Sequence, residues 1–201
     1  MNVQKLRLAQ GLFITLCCPL AHAQLSTATD RNAFISDFPT HIRNGFDLLS
    51  AGTNAPFITE GVQVSGTLQP TAPQVTNSLL GNPHSFWFQG FGSPANFVLA
   101  NNQGFEFHWT SPIHAAGFDL QCFACDTAGN PSSFLFDAFN ALGNSIGTIE
   151  QIVLLDFTVR FVSVRSTVAF QTLRVRRGGP GNYMMDELRF AADRVFASGF
   201  E

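Results

Sequence analysis

Residues 105 to 110 read Phe-Glu-Phe-His-Trp-Thr, and this strict alternation is the feature that most constrains the fold. A helix would scatter Phe105, Phe107 and Trp109 around its circumference. An extended strand puts all three on one side and Glu106, His108 and Thr110 on the other, which predicts a half-buried antiparallel strand. The same period continues through Ala116, Phe118 and Leu120, and again through Phe134, Phe136 and Ala138. Asn140-Ala-Leu-Gly-Asn144 reads as a hairpin turn into Ile146–Ile149. From Phe157 to Val164 both parities are largely apolar, so a central strand covered on each face is expected. Thr172–Arg176 and Met184–Phe190 supply the last strands, separated by Gly178-Gly-Pro-Gly-Asn182.

Strands recurring at this interval, with turn residues between them, predict an all-β antiparallel β-sandwich (jelly roll). One short N-terminal helix is expected over Asp30–Phe38, with Thr29 as its N-cap. The Thr-, Pro-, Ser- and Asn-rich stretch from Ser65 to Pro83 reads as a long loop or irregular edge. Hydrophobic residues make up 45% of the chain and charged ones 12%, which is ample for one core and rules out disorder for most of its length. The 22 Phe against two Trp and one Tyr describe an apolar interior more than a ligand-reading surface.

The chain opens with Lys5 and Arg7, an apolar run from Gly11 to Leu20, and Ala21-His22-Ala23 before Gln24. That order is a secretory signal peptide with cleavage after Ala23. The expected organisation is a leader over 1–23, a polar and helical segment over 24–44, a sandwich over 45–190 and a tail over 191–201. The mature 178 residues hold nine Arg, no Lys and fourteen acids, for a net charge of −5. This balance argues against nucleic acid or an anionic membrane as the main partner. No later segment is apolar enough to span a bilayer, so the product is expected to be exported to a periplasmic, cell-surface or extracellular location.

Cys122 and Cys125 remain in the mature chain, inside Leu-Gln-Cys-Phe-Ala-Cys-Asp. A redox motif would need a helix N-terminus in a βαβ unit, and the flanks read as strand and turn. A zinc site recruiting His108 and His114 would have no common finger or ribbon spacing. The expectation is a small structural disulfide, which requires the chain to turn at Phe123-Ala124 because residues three apart in a straight strand sit ~10 Å from each other.

Glu106 and His108 are neighbours on the polar face of the clearest strand and are candidate ligand-binding residues. Trp87, in Ser85-Phe86-Trp87-Phe88-Gln89, is a third: parity separates its indole from Phe86 and Phe88, and an exposed indole is a platform for a sugar ring. Hydrolysis of a glycoside needs a second carboxylate on the same face, and no Glu-x-Glu or Asp-x-Glu pair supplies one. No Gly-x-Ser-x-Gly elbow supports acyl transfer. Arg160, Arg165, Arg174, Arg176 and Arg177 form a cluster suited to an anionic glycan or to a solvated sheet edge.

Gly45-Phe46-Asp47, the Pro112-Ile113-x2-Ala116-Gly117-Phe118-Asp119 run, Phe136-Asp137-Ala138 with Gly143-Asn144, and Met185-Asp186-Glu187-Leu188-x-Phe190 together resemble exported bacterial jelly-roll domains. These galactose-binding-like β-sandwiches often occur in proteins with a PEP-CTERM sorting tail, whose Pro-Glu-Pro motif this chain lacks. The resemblance implies a sandwich over roughly residues 45 to 190. It also implies a structural cation, Ca²⁺, where first and last strands meet, with Asp47 and Asp186 as ligands. Parity bears on that expectation: Met184, Asp186, Leu188 and Phe190 alternate together, which would aim Asp186 into an apolar layer where a bare carboxylate is costly. Either a cation, or backbone N–H donors or an arginine such as Arg189 or Arg43, is therefore expected to accompany it.

The function expected from the sequence is a secreted, non-catalytic binding module with an extracellular carbohydrate as partner. The contrasting classes are a structural or matrix-forming surface protein and a jelly-roll glycoside hydrolase.

Overall fold

The computed structural model describes residues 24–46, 48–49, 55–66, 74–77, 96–100, 104–122, 131–154, 159–177 and 183–192. In chain order the elements are β1 (Leu25–Ala28), α1 (Arg31–Asp37), β2 (Ile42–Asn44), β3 (Phe57–Thr59), β4 (Val62–Gly66) and β5 (Gln74–Asn77). They continue with β6 (Asn96–Ala100), β7 (Phe105–Cys122), β8 (Pro131–Phe139), β9 (Ser145–Leu154), β10 (Arg160–Arg177) and β11 (Tyr183–Ala191). Every strand pairing is antiparallel, and the helix is short, as the period-two patterning predicts.

Two 18-residue strands, β7 and β10, organise the sandwich. Their ladder is irregular between Arg165 and Thr172, and on either side of that break the pair belongs to a different layer. In the first layer β3, β4, the start of β7, the end of β10, β8 and β9 lie side by side. In the second, β5, β6, β11, the end of β7, the start of β10 and β1 do so, with β2 also on β11. Ring contacts close the space between layers: Phe107 lies 5.8 Å from Phe118, Phe118 6.2 Å from Phe136, and Trp109 5.9 Å from Phe190. Phe105, Phe107, Trp109, Phe134 and Phe136 are all fully buried there, so both predicted parities hold.

The alternating runs at 105–110 and 116–120 belong to a single strand, and the strands expected at 157–164 and 172–176 are joined in β10. One strand runs past Pro112 without interruption, as does β10 from Arg160 to Arg177. Within the 65–83 stretch read as a long loop or irregular edge, residues 74–77 form β5, a strand at the edge of its layer paired with β6. The hairpin at Asn140–Asn144 is present, with the Asn140 side chain accepting from the Leu142 and Asn144 amides and Gly143 at φ 77°.

The start of β10, residues 160–164, is covered on both faces, as its sequence suggests. Val162 and Val164 enter the main core, while Phe161 lies on the outer face under α1. The helix starts one residue later than expected: Asp30, not Thr29, is the N-cap, its carboxylate accepting from the Ala33 amide at 3.0 Å. Phe34 and Phe38, four apart, share the face that packs on Phe161, Ala115 and Ala191. Arg165, which joins Asp37, and Arg31, which joins Asp119, tie the helix to the sheet electrostatically. Among the described residues no helix is long and apolar enough to cross a membrane.

Candidate functional site

Antiparallel pairing places directly opposed residues on one face. On the outer face of the first layer this aligns Ser65, Glu106, Arg174, Asp137 and Thr148 as one row across β4, β7, β10, β8 and β9. A second row beside it holds Gln63, His108, Thr172 and Phe139. At ~4.8 Å per strand the first row spans about 19 Å.

The side chains in these rows hold one another in place. Arg174 donates from Nε (3.0 Å) and Nη2 (2.8 Å), both to Oε2 of Glu106, so Oε1 takes no part in the pair. The same guanidinium lies 5.2 Å over the Phe139 ring. Arg176 donates from Nε to Asp137 Oδ2 (2.6 Å) and from Nη2 to Oδ1 (2.9 Å), and Thr148 donates to the same Oδ1 at 2.7 Å. His108 Nδ1 sits 2.9 Å from the Thr172 hydroxyl. Ser133 donates to Glu150 on the neighbouring strand. His108, Thr110, Thr148 and Glu150 are exposed, and Arg174 is 41% exposed.

Burial alone would raise the Asp137 pKa. Hydrogen bonds from Arg176 and Thr148, with the charges of Arg176 and Arg174, outweigh it and hold the carboxyl below its ordinary value. Asp137 is therefore a fixed anion. Arg176 is pushed up by the same pair.

Glu106 and His108 are thus neighbours on one exposed face, as alternation predicts. Sequence reading set no role for Asp137 and Thr148, and it grouped Arg174 and Arg176 with arginines that lie elsewhere. Arg165 belongs to the second layer, against Asp37. The usable signal was parity: Arg174 and Arg176 alternate with the buried Leu173 and Val175, and Asp137 with the buried Phe136 and Ala138. Among the described residues His108 and His114 belong to no group of three metal-ligating side chains; His114 Nδ1 lies 3.1 Å from the Ser166 carbonyl and His108 Nδ1 2.9 Å from the Thr172 hydroxyl. Trp87, Asp47 and Cys125 lie outside the described residues, and Cys122 is described only as the last residue of β7.

Asp186 does not point into the apolar core, which corrects the parity argument for it. Glu187 adopts φ 56° and forms a bulge between Asp186 and Arg189, so one extra residue enters β11. Before the bulge Met185 enters the core and after it Leu188 and Phe190 do. Asp186 opposes Asp119, and Arg189 opposes Gly117, on the outer face of the second layer. A polar cluster gathers there, with Arg43 and Arg189 both on the Glu187 carboxylate and Arg31 on Asp119 at 2.5 Å. Burial would raise the Glu187 pKa, but the Arg43 hydrogen bond and the Arg189 and Arg43 charges bring it below normal. For Asp119 burial prevails over Arg31, and its pKa is raised. β2, which precedes Asp47, pairs β11 through Asn44 and Leu188. Among the described residues no three His, Cys, Asp or Glu side chains are grouped to hold a metal ion.

No family model matches the chain, and no curated protein does. Among solved structures it is similar to the enzymatically active domain of the bacteriophage CBA120 tailspike protein 4, at 9% identity and TM-score 0.33, covering 86% of this chain and 20% of that one. It is also similar to the CBM22-1–GH10 modules of Clostridium thermocellum endo-1,4-β-D-xylanase 10B complexed with xylohexaose, at 6% identity and TM-score 0.37 over 73% of this chain and 28% of that one. A third is TmCBM61 in complex with β-1,4-galactotriose, at 12% identity and TM-score 0.31, covering 78% and 90%. The chain therefore spans under a third of the first two.

Proposed function

We propose that this chain is an exported, non-catalytic β-sandwich module that binds an extracellular carbohydrate on the outer face of the first layer. The observation that carries this reading is the row Glu106–Arg174–Asp137–Thr148, with His108 and Thr172 beside it. Sugar hydroxyls both donate and accept, and this face interleaves guanidinium and hydroxyl donors with carboxylate acceptors along about 19 Å. The groups stand on strands and are held by mutual hydrogen bonds, so little side-chain entropy is lost when a ligand arrives. Export is supported by the basic, apolar and Ala-His-Ala segments of the first 23 residues.

Two features favour binding over hydrolysis. A glycosidase needs one carboxyl kept protonated as an acid, and Asp137 is held ionised. Arg174 also stands between Glu106 and Asp137 in the row and donates twice to Glu106, tying that carboxylate into an ion pair. The test is a glycan array on the mature protein, followed by calorimetry with Arg174→Ala and His108→Ala. Saturable binding that falls at least tenfold in either variant is expected. Unchanged affinity in both, with the fold intact, removes this face as the site, and no saturable glycan binding overturns the reading.

A further inference from the structure

We infer that the first-layer face selects by charge, accepting neutral hydroxyl-rich chains and rejecting those carrying uronate or sulfate groups; this rests on the carbohydrate reading above. Among the described residues the face holds three carboxylates, Glu106, Asp137 and Glu150, against two guanidiniums, Arg174 and Arg176. Both guanidiniums spend the same edge, Nε with Nη2, on a carboxylate of the protein. That fork is the group that would grip an anionic ligand in two-point fashion.

An anion taking the Nε–Nη2 edge of Arg176 must displace Asp137, which is only 6% exposed. A nearly buried carboxylate stripped of its guanidinium is strongly disfavoured, so the exchange is uphill. An anion approaching Arg174 meets Glu106 on the near edge. Like-charge juxtaposition of this sort is an efficient means of rejecting a partner.

A hydroxyl group avoids both costs. It donates to Oε1 of Glu106, which stands outside the Arg174 pair, and accepts from the remaining Nη1 donors without breaking either fork. The ion pairs then serve as fixed scaffolding for a neutral ligand. A consequence is that affinity for the neutral chain changes little with ionic strength, because no net charge is neutralised on binding.

The experiment uses a matched pair of probes, a neutral β-glucan oligosaccharide that binds in the array and the same oligosaccharide oxidised at its C6 hydroxyls to the uronate. Calorimetry on the mature protein is expected to show at least tenfold tighter binding of the neutral probe at low salt, and a smaller ratio at high salt, where like-charge repulsion is screened. Glu150→Gln, at an exposed position, and Glu106→Gln together turn the excess of one carboxylate into an excess of one guanidinium. The oxidised probe should gain affinity in the double variant, and to a smaller degree in Glu150→Gln alone, which guards against misfolding of the pair. Equal or tighter binding of the oxidised probe by the parent protein overturns the charge selection and leaves carbohydrate binding standing. Absence of binding to every neutral and anionic glycan overturns both.

Discussion

Asp186 stands directly opposite Asp119 across β11 and β7, on the side of the second layer away from Met185 and Leu120, and both are 1% exposed. Two acids occupy facing positions because Glu187 inserts a bulge immediately after Asp186. The bulge resets the alternation, so Leu188 and Phe190 return to the core while Arg189 joins the polar side. Arg189 then reaches back to the Glu187 carboxylate at 3.0 Å, which Arg43 also holds.

Deleting Glu187 is expected to leave the two faces of β11 unchanged. With the extra residue gone Leu188 would follow Asp186 opposite Phe118, still in the core, and Arg189 would keep its place opposite Gly117. Glu187→Ala keeps the bulge but leaves the nearly buried Arg189 without its carboxylate, a loss of ~3–5 kcal/mol. Urea denaturation of the two variants checks both: the deletion is expected to cost about as much as Glu187→Ala, since each removes the carboxylate shared by Arg43 and Arg189, and a deletion variant that cannot fold would refute this account of the bulge.

Gly117→Ala should destabilise by ~1–3 kcal/mol through overpacking. A Cβ there would meet Cζ of Phe161 at 2.5 Å. The ring has little room to retreat, with Phe34 packed edge-on at 5.6 Å and Arg31 above it at 5.8 Å. Thermal melts of Gly117→Ala and of the double variant with Phe161→Leu are the measurement, and the smaller side chain is expected to restore part of the loss.

Phe34→Ala should cost ~3–5 kcal/mol if α1 stays docked, because the ring is fully buried. If the helix lets go instead, hydrogen exchange will rise over residues 31–37 while the sheet remains protected. Unchanged stability with unchanged exchange would contradict the packing of the helix on Phe161.

The response to acid has opposing parts. Asp137 and Glu187 have folded pKa values below their unfolded ones of ~3.9 and ~4.3, so their stabilisation is present above those values and lost as pH falls through the folded pKa. Asp119 is raised, so its ionisation opposes folding and its protonation below the raised value relieves that cost. Melting curves at pH 7, 5 and 3 should therefore fall more steeply for Asp119→Asn than for the parent, and less steeply for Asp137→Asn. Parallel slopes in all three would show that these carboxyls do not couple to folding.

Alternation alone gave strand character and buried parity to 105–110, 116–120 and 134–138, and with them the sandwich class, because a period of two puts Phe105, Phe107 and Trp109 on one face whatever the neighbours are. It likewise placed Glu106 beside His108. Which residues from distant strands join them was decided by register: Arg174 and Asp137 reach Glu106 only because β10 pairs with β7 on one side and β8 on the other. The direction of Asp186 was also a tertiary matter. Counting parity along β11 assumes an unbroken strand, and the inserted residue at Glu187 shows itself only once β11 is laid against β7.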